Sequence, residues 1–150
     1  MVEVGQKAPS FELKDEQGKA VSSESFSGKK ILLAFFPLAF SPVCTEEMKC
    51  FHNDFIKFQE KGISVLGISV DSHWSNAAFR KSIGSSIPLF SDISREAARR
   101  FGILRPEGFS ERAYFLIDGQ GIIRFKHVMD IPKNKLNYDE LLQAIGESGL

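Results

Sequence analysis

The chain has 150 residues, 43% of them hydrophobic and 25% charged, and its 19 basic and 19 acidic residues cancel to a formal net charge of zero. That length suits a single domain, residues 1–150, able to bury roughly 70% of the surface its unfolded chain would expose. Balanced charge argues against nucleic acid or an anionic membrane surface as the main partner, and 2 cysteines are too few for a disulfide framework.

In chain order, FELK at Phe11–Lys14 and Ala20–Ser22 read as a short hairpin across Asp15 and Gly18. The near-continuous apolar run Ile31–Phe36 is what a strand covered on both faces looks like, and Pro37 ends it. Residues 45–61 form a helical stretch closed by Gly62, and Ser64–Val70 is a second buried strand. A helix is expected over Asn76–Ile83, opened by Ser75, then a short strand at Pro88–Phe90 and a helix from Arg95 to Phe101 stopped by Gly102. Tyr114–Ile117 and Ile122–Val128 are strands joined by the turn Asp118-Gly-Gln-Gly121, and Tyr138–Ile145 is a last amphipathic helix. The order ββ, βαβαβα, ββα predicts an α/β sandwich with a mixed central sheet flanked by helices. Fourteen phenylalanines point to an aromatic core.

The opening MVEVGQKAPSFELKDEQG has no apolar stretch of signal-peptide length, and no window reaches the length of a membrane span. His52, His73 and His127 are scattered and there is no Cys-x-x-Cys, so metal-ligand spacing is absent. A cytoplasmic protein without metal or cofactor is expected.

Ligand chemistry in such sheets gathers at the carboxyl ends of strands, and Pro37–Cys44 follows one of those ends directly. Cys44 stands where the helical stretch begins. Unpaired N–H groups and the helix dipole favour a thiolate there, the form that attacks electrophiles. At about 100° per residue, Met48, Phe51, Phe55 and Phe58 fall within roughly 40° of Cys44, which places the cysteine on the core-facing stripe. A lone cysteine is commonly a small buried hydrophobe; its position at a helix start weighs against that reading.

Pro37, Ser41 and Cys44 form a Pro-x-x-x-Ser-x-x-Cys pattern after the hydrophobic strand. It resembles the Pro-x-x-x-Thr/Ser-x-x-Cys motif of the peroxiredoxins, thiol peroxidases with a thioredoxin-like fold. VGQKAPSFELKDEQGK, GISVDS and ERAYFLIDGQGIIRF are similar to further segments of that family, in the same order. FFPLAFSPVC is especially similar to the one-cysteine alkyl hydroperoxide reductase E branch. Serine stands where the family more often has threonine, which keeps the hydroxyl and drops a methyl.

The resemblance implies that Cys44 is the peroxidatic nucleophile and that Ser41 holds peroxide and thiolate through its hydroxyl. It also implies that Pro37 shields the sulfur and that Arg112 supplies a fixed positive charge beside it. Lowering a thiol pKa from ~8.5 to ~6 raises the thiolate fraction at neutral pH only about 30-fold. Positioned donors must therefore stabilise the leaving oxygen as well. Implied partners are a peroxide and a thiol reductant, either a thioredoxin- or glutaredoxin-like protein or a small thiol. A homodimer is the expected assembly.

Cys50 has two readings: a bystander in a one-cysteine enzyme, or a resolving cysteine. On an intact helix it lies about 9 Å along the axis and roughly 120° round from Cys44, so a disulfide between them requires unwinding. Some bacterioferritin-comigratory-type peroxiredoxins pair cysteines within this helix, at a spacing of five rather than six. His52 is too far along the chain to be the base for Cys44. Trp74 and Phe79 line either the pocket, a subunit contact or ordinary packing. A thiol–disulfide oxidoreductase would carry Cys-x-x-Cys, and a cysteine phosphatase an arginine where Cys50 stands. The remaining alternative from another class is a non-catalytic redox sensor switched by oxidation of Cys44.

Overall fold

Strand β3, Lys30–Phe35, organises the molecule. Its side chains alternate across the sheet. Leu32, Ala34 and then Phe36 enter one apolar cluster, while Ile31, Leu33 and Phe35 enter the other. This is why the run is apolar throughout: both faces of the pleat are covered. The structure, a computed structural model, describes residues 2–40, 57–58, 61–85, 87–128 and 143.

Around β3 the described strands are β1 (Glu12–Lys14), β2 (Ala20–Ser22), β4 (Ile63–Ser69), β5 (Leu89–Ser91), β6 (Ala113–Ile117) and β7 (Ile123–Val128). Together they make one mixed seven-stranded sheet in the order β2-β1-β5-β4-β3-β6-β7. β3, β4 and β5 run parallel, with Phe35 beside Ile68 and Ile68 beside Phe90. β6 runs against β3, with Ala113 opposite Phe35. The hairpin β1–β2 forms as expected, and Lys14 pairs with Ser91 to place it at the β5 edge. The turn from Asp118 to Gly121 also forms: the Asp118 carboxylate accepts from the amides of Gln120 (2.9 Å) and Ile122 (3.0 Å). Register slips between Leu116 and Ile117, where β6 meets β7.

Helix α1 spans His73–Ile83. It begins three residues earlier than the periodicity predicts, because its cap is Ser72 and not Ser75. Ser72 is extended (ψ 161°) and its side chain accepts from the Ser75 amide, satisfying one of the free N–H groups of the first turn. Gly84 closes it in the left-handed region (φ 66°). Helix α2 is only Glu96–Arg100, shorter at both ends than expected. Arg95 is left-handed and outside the helix, and Phe101 closes it. A 3₁₀ turn at Ser23–Phe26 follows β2 and is not signalled by the sequence pattern.

The expected helix at 45–61 lies mostly outside the described residues, but Lys57 and Phe58 are helical. Phe58 is fully buried among Phe36, Phe79 and Tyr114, as the core-facing stripe requires. Only Gln143 of the expected Tyr138–Ile145 helix is described, and it is helical. The second cluster joins Phe35, Phe101 and Phe115 in close ring contact, with centroids 5.6 and 4.9 Å from Phe101. Among the described residues no helix is long and apolar enough to cross a membrane.

Candidate active site

Because β3, β4 and β5 are parallel, their carboxyl ends share one end of the sheet, and β6, running the other way, starts there. Buried polar side chains concentrate at that end. Ser69, Asn76, Ser91, Asp92, Ser110 and Arg112 lie there; Ser85, beyond α1, is the one other buried polar or charged residue among those described. A core places costly polar groups where they are used or mutually satisfied.

Pro37 and Arg112 both lie at this end. Pro37 is buried directly after Phe36, whose amide donates to the Ile68 carbonyl at 2.9 Å. Arg112 immediately precedes Ala113, the residue opposite Phe35, and is 1% exposed. Ser110, also buried, donates its hydroxyl to the Phe36 carbonyl at 3.4 Å and ties the segment before Arg112 to the segment before Pro37. A guanidinium kept this dry acts as a fixed charge far more strongly than a solvated one. Ser41, Cys44, Cys50 and His52 lie outside the described residues.

The chain leaving Pro37 is held from the side by Asp71, which follows β4. Its Oδ2 accepts from the Ala39 amide at 2.8 Å and lies 2.9 Å from the Ser69 hydroxyl. Asn76, fully buried on α1, places Oδ1 3.1 Å from the same hydroxyl and donates its amide to the Phe90 carbonyl at 3.2 Å. The Ser91 hydroxyl donates to the Asp71 carbonyl at 2.6 Å. The ends of β3, β4, β5 and α1 are thus joined by one polar network. Sequence reading missed Asp71, Ser69 and Asn76. Their signal is a Ser-x-Asp step off a buried strand, followed by an asparagine on the inner face of the next helix.

Phe40 adopts φ 67°, a left-handed conformation costing a non-glycine residue about 1–3 kcal/mol. Its ring lies 5.0 Å from that of Phe79, which also meets Phe36 at 6.0 Å. Phe79 is therefore core, supporting the loop from beneath. Trp74 is 74% exposed and stacks on His73 instead.

Asp92, next to β5, is 1% exposed, and its carboxylate accepts from the amides of Ala97 (3.0 Å) and Ala98 (2.9 Å) at the start of α2. Burial pushes its carboxyl above the ordinary 3.8; the Ala98 and Ala97 amides oppose the rise and the charge of Glu96 adds to it. A cavity of about 310 Å³ lies at the far end of the sheet, lined by Lys7, Phe11, Lys29, Ile31 and Gly119 among others, and is remote from Pro37 and Arg112.

A mixed sheet of this order, with a proline and a dry arginine where β3 ends and β6 begins, defines a thioredoxin-like α/β protein of peroxiredoxin type. Its backbone matches the crystal structure of Enterococcus faecalis AhpC with a TM-score of 0.89 and 29% identity, over 99% of this chain and 93% of that one. It matches reduced Plasmodium vivax 2-Cys peroxiredoxin with a TM-score of 0.84 and 31% identity, over 96% and 94%. In sequence, Peroxiredoxin-2 of Macaca fascicularis is 35% identical over 95% of this chain and 77% of its own length. Peroxiredoxin TSA1 of Saccharomyces cerevisiae is 36% identical, over 97% of this chain and 79% of its own. The pattern of the AhpC/TSA family covers residues 4–126. The chain belongs to that family, the peroxiredoxins, and is a thiol-dependent peroxidase.

Proposed function

We propose that Cys44 is the peroxidatic residue, with Ser41, Pro37 and Arg112 completing its pocket. The observation that carries the assignment is the dry Arg112 entering β6 at the point where Phe36 and Pro37 leave β3. From there the chain reaches Ser41 and Cys44 within seven residues of Pro37 (44 − 37). The Cys44 thiolate attacks one oxygen of a hydroperoxide, the O–O bond breaks, and the other oxygen leaves with a proton as water or alcohol. The product is Cys44 sulfenic acid. Arg112 and the Ser41 hydroxyl stabilise charge on the departing oxygen. Hydrogen peroxide and organic hydroperoxides fit this chemistry, as does peroxynitrite.

Regeneration needs a thiol. We assign it to an external one, a thioredoxin- or glutaredoxin-like protein or a small thiol, in keeping with the likeness of FFPLAFSPVC to the one-cysteine alkyl hydroperoxide reductase E branch. Cys50 is then a bystander. A reducing compartment such as the cytoplasm suits a cycle that depends on free thiol. Residues from Glu12 to Val128 contribute to one sheet, which supports reading the chain as one domain. A homodimer is the proposed assembly.

The test is peroxide consumption with a thiol reductant. Cys44→Ser is expected to abolish it; full activity in that variant would remove the assignment. Intact-mass measurement after one equivalent of peroxide separates the two roles of Cys50: a sulfenic acid trappable on Cys44 supports the one-cysteine cycle, and a Cys44–Cys50 disulfide refutes it.

A further inference from the structure

We infer that Asp71 is a positioning residue for peroxide reduction, setting the course of the backbone from Pro37 toward Ser41 and Cys44. The inference rests on the peroxidase assignment above and deepens it. Ala39 lies two residues before Ser41 (41 − 39). Its amide is held at 2.8 Å by a carboxylate from a different strand end, Asp71 after β4. Phe40, the residue between Ala39 and Ser41, is left-handed at φ 67°. A phenylalanine does not rest in that region by its own preference, so neighbouring contacts must hold it. Two are visible: the Phe79 ring on the side chain and the Asp71 carboxylate on the preceding amide.

The carboxylate is itself fixed. Ser69 Oγ lies 2.9 Å from Oδ2, and the Ser91 hydroxyl holds the Asp71 carbonyl at 2.6 Å. Asn76 backs Ser69 at 3.1 Å from within the core. Asp71 therefore transmits the rigidity of β4, β5 and α1 to the segment that aims the nucleophile. Reaction at a peroxide oxygen is sensitive to such aim, since a displacement of about 1 Å costs on the order of 100-fold in rate. Alkylation of the same thiolate by a small reagent in bulk water has no leaving-oxygen pocket to align with.

The test compares Asp71→Ala, Asp71→Asn and Asp71→Glu in the full chain. Cys44 oxidation by hydrogen peroxide is followed by stopped flow, Cys44 alkylation by iodoacetamide by mass, and exchange of the Ala39 amide by NMR. Asp71→Ala is expected to slow oxidation about tenfold or more, leave alkylation within about twofold, and speed Ala39 exchange at least about tenfold. Asp71→Asn, which still offers an oxygen to Ala39, is expected to recover both rates to within about threefold. Asp71→Glu keeps the charge but moves the oxygen by a methylene, and is expected to fall with alanine; it also serves if the alanine variant does not fold. Unchanged oxidation or unchanged Ala39 exchange in Asp71→Ala overturns the inference, as do equal losses of oxidation and alkylation or failure of asparagine to recover. A wild-type protein that does not reduce peroxide overturns the peroxidase assignment instead, and the Ala39 exchange rates still decide the role of Asp71.

Discussion

Replacing Asp92 by alanine isolates the contribution of a single buried carboxylate to the support beneath the site. Its two oxygens satisfy the amides of Ala97 and Ala98, and those residues are 1% and 0% exposed. Alanine leaves both N–H groups without their acceptor, at about 1–3 kcal/mol for each orphaned donor. The variant also relieves the cost of burying the carboxylate, so the net loss belongs at the low end of the sum, about 2–3 kcal/mol. At roughly 2–4 °C per kcal/mol for a domain of this size, the melting temperature falls by about 5–10 °C. Urea unfolding at neutral pH checks the figure: the midpoint drops while the slope, which follows exposed surface, stays the same.

The pH dependence has the less familiar sign. A carboxyl raised above its unfolded value of 3.8 makes the folded state bind more protons between the two values. The stability Asp92 contributes is therefore complete below 3.8 and declines as pH rises through the raised folded value. The gap between wild type and Asp92→Ala is therefore expected to narrow from acid toward neutral pH. A midpoint change worth less than about 0.5 kcal/mol at every pH refutes the capping argument, and a gap that widens with pH refutes the sign.

Arg112→Met removes the charge at similar side-chain length and is expected to slow Cys44 oxidation by about 10²–10³-fold, the usual cost of losing a preorganised donor to a leaving oxygen. Stopped-flow oxidation checks this beside a circular dichroism spectrum matched to wild type. Phe79→Ala empties a site packed by Phe36 and Phe40 and is expected to cost about 3–5 kcal/mol in denaturant unfolding; a loss below about 1 kcal/mol would mean that the loop collapses onto the gap.

How far these features are visible in the sequence depends on the range of the interaction behind them. β3 is legible because its apolar run reports burial of both faces, a property of consecutive residues. Phe58 is legible through helical angle. The start of α1 is misread because Ser72 and Ser75 are both competent caps, and only the extended backbone of Ser72 selects between them. The β1–β2 hairpin sits beside β5 through the pairing of Lys14 with Ser91 and the bond from the Leu89 amide to Glu16, contacts across the fold that no local pattern encodes. Of the candidate site, Pro37 and Arg112 stand out by motif, whereas Asp71 does not. Its partner Ala39 is 32 residues away, and an aspartate after a strand ordinarily reads as a turn residue.

The position of β3 also bears on how the protein is made. One neighbour, β4, is the next described strand along the chain; the other, β6, is contributed far down it. A chain emerging from the ribosome can pair β3 with β4 long before β6 exists, leaving the other edge of the central strand open to a wrong partner. In the proposed pocket Arg112 arrives with β6, so the nascent protein carries an unassisted thiol. On the proposed assignment, Cys44 gains its full peroxide reactivity only once β6 has joined β3, which couples its activation to that long-range pairing.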